Sequence, residues 1–74
     1  MPTDEQVGKI CREAQAIAAR RGDLNEMVMD LLDRVGRDRQ MIERALAACE
    51  QDKGPEDRAA QLLRNALATG LFDD

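Results

Sequence analysis

Apolar residues recur along this chain at intervals of three and four, the spacing that gathers them on one face of a helix. The longest such stripe comprises Leu24, Met27/Val28, Leu31/Leu32, Val35, Ile42, Ala45/Leu46 and Cys49, and it stays almost in phase as far as Asp52. A narrower stripe precedes it at Val7, Ile10/Cys11, Ala14 and Ile17/Ala18, and a third follows at Ala59, Leu62/Leu63 and Ala66/Leu67. These patterns predict an all-α fold, with residues 1–74 forming one helical domain.

Local signals set the helix ends. Thr3 and Gln6 have the spacing of a capping box, and Asp4 and Glu5 suit the positive end of a helix dipole. The first helix is therefore expected from about Asp4 to Arg21, with Gly22 supplying a left-handed C-terminal residue. Asp23 and Glu26 read as a second capping box. The short connection predicts an antiparallel hairpin that sets Ile17 near Val28, Ala14 near Leu31 and Ile10 near Val35. Asp30/Arg34 and Asp33/Arg37 form i,i+4 pairs on the outer surface.

Gly36 admits two readings. A glycine inside a helix costs about 1 kcal/mol relative to alanine, which a long packed helix absorbs. Alternatively Gly36 ends one helix and Asp38 caps the next, giving four helices in all. The near-continuity of the stripe favours one long, kinked central helix. Beyond it, Asp52-Lys53-Gly54-Pro55 is a stop, and Pro55 suits the first turn of a last helix along with Glu56 and Asp57. That helix is expected to run to Thr69, to end at Gly70, and to set Leu62 against Leu46 and Leu67 against Met41/Ile42. Leu71 or Phe72 then folds back on its last turn.

Composition limits how much core these helices can build. Hydrophobic residues make up 43% of the 74, but alanine is the commonest and Phe72 is the sole aromatic. A small chain with that inventory sits near zero in the balance of burial against conformational entropy, and association with a second copy or a partner is the usual remedy. The net charge of -4 argues against a general nucleic-acid binder. No apolar run approaches a membrane span, and the N-terminus lacks the regions of a signal peptide, so a cytoplasmic location is expected.

Candidate chemistry is sparse. With no His, Ser, Tyr or Trp, the commonest general base and nucleophile are missing, and the carboxylates alternate with arginines as surface pairs do. The expectation is a protein that is not an enzyme and has no catalytic, cofactor-binding or metal-binding residues. Cys11 and Cys49 lack the further ligands a metal needs and read as small buried hydrophobes. Their separation discriminates between the two central-helix readings. A straight helix carries Cys49 far past the end of the first helix, whereas a break at Gly36 returns the chain parallel to the first helix and lets the thiols approach. A thiol redox switch would then be available.

Two functional readings remain. Met27, Met29, Met41, Leu71 and Phe72 are more apolar surface than a hairpin plus one helix can cover, and methionines suit adaptable contact surfaces. They point to a non-catalytic interaction module, a small accessory, adaptor or inhibitor that forms a homodimer or docks on a larger protein. The alternative is a helix-turn-helix DNA-binding regulator over residues 31–46, exposing Arg37, Arg39, Gln40 and Arg44 to bases or phosphates. Arg37 directly after the glycine and the bulk of Leu32 fit that motif poorly, and the chain is acidic.

Overall fold

The computed structural model describes residues 3–20, 22–70 and 72. Within them the chain forms four helices: α1 (Asp4–Ala19), α2 (Leu24–Val35), α3 (Arg39–Lys53) and α4 (Arg58–Thr69). The four pack as a bundle in which α1 and α4 each touch the other three, while α2 and α3 lie on opposite flanks and do not pack on one another. No helix among the described residues is long and apolar enough to cross a membrane.

The capping box at the start of α1 is fully made. The Gln6 N–H donates to Thr3 Oγ1 at 3.2 Å and the Thr3 N–H to Gln6 Oε1 at 3.0 Å, so two otherwise unpaired donors are satisfied. The far end differs from the sequence expectation. The helix stops at Ala19, and Arg20 leaves it in extended conformation, its N–H bonded three residues back to Ile17. Gly22 does not have a positive φ, so it is not the left-handed cap. The extended exit makes such a residue unnecessary. Arg21 lies outside the described residues. At the next start, Asp23 accepts from the Asn25 N–H at 3.3 Å, and its side-chain cap is made without Glu26.

The central helix is broken at Gly36, contrary to the expectation of one continuous helix. Gly36 has φ +90°, a region an L side chain rarely enters, and its N–H closes α2 on the Leu32 carbonyl at 2.9 Å. Asp38 then caps α3 by accepting from the Gln40 N–H at 3.0 Å. The reason for the break is tertiary. An unbroken helix over residues 24–53 would be roughly 45 Å long, yet the longest dimension of the molecule is 32 Å. Its second half would project past the 16 residues of α1 with Ile42, Ala45 and Cys49 uncovered. Broken, α3 buries all three.

Cross-helix contacts fix the directions. Arg20 pairs with Asp30 and Glu13 with Arg34, so α2 runs antiparallel to α1 as the hairpin reading expected. Ile10 and Val35 line one small cleft together with Met41. Farther along α1, Cys11 meets Ala45 and Cys49. Ala18 and Ala19 then lie beside Arg58, beyond the end of α3. The order 10, 11, 18 beside 41, 45/49, 58 makes α3 parallel to α1. The core between the helices is Ile10, Ile17, Val28, Leu31, Leu32, Ile42, Leu62 and Leu63 with interleaved alanines and Cys49, and among the described residues no polar or charged residue is buried. Ala14, Ala45, Ala60 and Ala66 are fully enclosed, which lets the backbones approach closely.

The last helix begins at Arg58, later than a start at Pro55. Pro55 and Glu56 form a turn, and Asp57 occupies the cap position without a side-chain cap bond. Gly54 (φ +87°) ends α3 and Gly70 (φ +71°) ends α4, as the stop signals anticipated. Phe72 packs on the core. Leu71 lies outside the described residues.

Candidate functional site

The fold takes up much of the apolar surface that the sequence left unassigned. Met27, Met41 and Phe72 are half-buried and packed on the core. The exposed large hydrophobics among the described residues are Leu24 at 44% and Met29 at 41%, both on α2. Leu24 was not singled out from the sequence because it continues the apolar stripe. It is exposed because it occupies the first turn of α2, just after α1 has ended. Leu24 and Met27 border a surface groove of about 430 Å³ whose floor is Ala18 and Leu62 and whose edge carries Arg20 and Arg58. Met29 projects from a different side of α2, since five residues on a helix turn through about 140°.

The residues of the DNA-binding reading are all exposed: Arg37 just before α3, Arg39 and Gln40 at its start and Arg44 in its second turn. Their charges are partly committed within the chain. Arg37 pairs with Asp33 at 3.8 Å and Arg39 with Glu43 at 3.2 Å. Gln40 offers its side chain to solvent while its N–H bonds Asp38. Arg44 has no ion pair among the described residues. The helices on either side of Gly36 do not pack on each other.

On the flank of α1 away from α2, two thiols meet. Cys49, 2% exposed, places its Sγ 2.8 Å from that of half-buried Cys11. Cys11 in turn donates to the main-chain oxygen of Ala45, 3.4 Å away and one turn before Cys49. Burial, with the hydrogen bond to Cys11, pushes the Cys49 thiol up to about 12. The carboxylates of Asp57 and Asp52 act in the same direction. Asp57 Oδ2 is itself enclosed without a hydrogen-bond partner. The approach of the two cysteines follows from the break at Gly36, the one sequence reading that allowed it. Among the described residues no cluster of three or more Cys, Asp or Glu could hold a metal ion.

On the α1–α2 surface, Arg34 bridges Glu13 at 3.2 Å and Asp30 at 3.1 Å, and Arg20 reaches the same aspartate. Hydrogen bonds from Arg20 and then Arg34 hold the Asp30 carboxyl below its ordinary value. These exposed pairs orient the helices more than they stabilise them. Compared with known protein families, curated proteins and solved structures, the chain matches none, so its functional reading rests on its own residues.

Proposed function

We propose that this chain is a non-catalytic protein-interaction module whose contact surface is α2 and the groove beside it. The observation that carries this reading is exposed Leu24 beside half-buried Met27 at the mouth of the groove, in a domain whose other large hydrophobic side chains, Met29 on another side of α2 apart, are at least half covered among the described residues. Apolar surface left open on one element is what a protein contact removes from water. Leu24 and half-buried Met27 supply the apolar part of that contact, and Arg20 and Arg58 at the groove edge set orientation. The occupant the reading favours first is a second copy, because a chain of 8.2 kDa with this alanine-rich core gains most from association.

Sedimentation equilibrium across a dilution series tests it. The expected result is a mass that rises from one chain toward two with concentration, and a rise abolished by Leu24→Asp with the helical circular-dichroism signal unchanged. A mass fixed at one chain throughout overturns self-association. A mass that rises equally in the Leu24→Asp protein removes α2 as the contact surface.

A further inference from the structure

We propose that Cys11 and Cys49 are a modification site: by exchange with a low-molecular-weight disulfide they form a reversible disulfide within the chain, tying α1 to α3. The geometry assembles everything but the co-reactant. The two thiols are 38 positions apart in sequence and sit on different helices, yet their sulfurs are 2.8 Å apart, inside van der Waals contact. A disulfide bond needs a further closure of about 0.8 Å, which side-chain rotation and a small helix shift supply. The hydrogen bond from Cys11 to Ala45 fixes the approach, because Ala45 and Cys49 lie one turn apart on α3. Enclosed Ala45, whose main-chain oxygen Cys11 reaches, leaves room for the two helices to lie close at this level.

Accessibility orders the steps. Cys11 is half-buried and Cys49 almost fully enclosed, so an incoming small molecule meets Cys11 first. Cys11 Sγ gives its proton to water and attacks one sulfur of the small disulfide RSSR, whose S–S bond breaks and releases RS⁻, which takes up a proton. The chain now carries a mixed disulfide at Cys11. Cys49, already in contact, loses its proton and attacks Cys11 Sγ, expelling the second RS⁻. Two electrons pass from the protein sulfurs to RSSR, and the products are the Cys11–Cys49 disulfide and two RSH. Burial and neighbouring carboxylates disfavour the Cys49 thiolate. The second attack therefore draws on contact rather than on acidity.

The test is to equilibrate the reduced full chain with mixtures of oxidised and reduced glutathione, block free thiols, and measure the intact mass. The expected product is a single-chain species two hydrogens lighter, with both thiols consumed and no lasting glutathione adduct. It should melt about 10 °C or more above the reduced form, since the crosslink closes a long loop in the unfolded chain. Cys49→Ser should instead retain one glutathione, on Cys11. Adducts on both cysteines of the wild-type chain, crosslinks between chains, or thiols left free at the most oxidising ratio would each overturn the proposal. The wild-type mass decides the matter whether or not the variant folds.

Discussion

Cys11 donates a hydrogen bond to the main-chain oxygen of Ala45, 34 residues away in sequence. That contact exists because the chain reverses at Gly36 and carries α3 back alongside α1. The cover over Ile42 and Ala45 and the meeting of the thiols both depend on that reversal.

Gly36→Ala therefore tests the backbone at the reversal. Were residue 36 inside a helix, alanine would raise stability by about 1 kcal/mol. At φ +90° an added Cβ meets nothing within 4 Å but forces a strained conformation, so stability should fall by roughly 1–2 kcal/mol. Gly22→Ala is the control. It too has open space around the added atom, but its φ is not positive, so alanine there should be neutral or slightly stabilising. Urea midpoints of the two variants should move in different directions or differ clearly in size.

Thr3→Ala removes one side of the α1 capping box and should cost about 1 kcal/mol, read as a fall in melting temperature of several degrees for a domain of this size. Glu26→Ala, outside any side-chain cap bond, should change stability by less than about 0.5 kcal/mol.

Titration effects have opposite signs at the two ends of the pH scale. The Cys49 thiol is raised in the folded chain from 9.0 to about 12. Its stabilising contribution is fully present below 9.0 and is lost as pH rises toward 12. Reduced protein should lose stability over that window, and Cys49→Ala should lose less. Asp30 is lowered in the folded chain by its arginine partners. Its contribution is present above the ordinary carboxylate range and is lost as pH falls through the folded value. Asp30→Asn should flatten the acid limb slightly, and added salt should shrink the difference because the pairs are exposed.

Ala14 is fully enclosed and lies one turn after Cys11 on α1. Ala14→Leu should cost about 1–3 kcal/mol through overpacking and should separate the thiols. Thiol blocking under native conditions should then modify Cys49 as well as Cys11.

The helical class, the capping box at Thr3, the stop at Gly54 and the end at Gly70 were legible in the sequence because each rests on chemistry within one turn of chain. The break at Gly36 was not. Glycine and a following aspartate satisfy both an absorbed defect and a cap, and the stripe runs through them nearly in phase. What decides is the length of α1, which covers only half of a 30-residue partner. Similarly, Gly22 carried the chemistry of a helix end that the chain makes through an extended Arg20, and Asp23 caps α2 as its type suggests but without the Glu26 partner its spacing offered. Met27, Met41 and Phe72 looked like surplus surface when three helices were counted, and a fourth direction of packing covers them. Leu24 looked buried from its place in the stripe, and its position beyond the end of α1 exposes it.

A nuclear Overhauser spectrum of the reduced protein tests the reversal most directly. The β-protons of Cys11 and Cys49 should show a cross-peak, and medium-range helical contacts should be interrupted between Val35 and Arg39. Unbroken helical contacts through Gly36, with no cross-peak between the two cysteines, would contradict the fold described and remove the basis for the thiol pair.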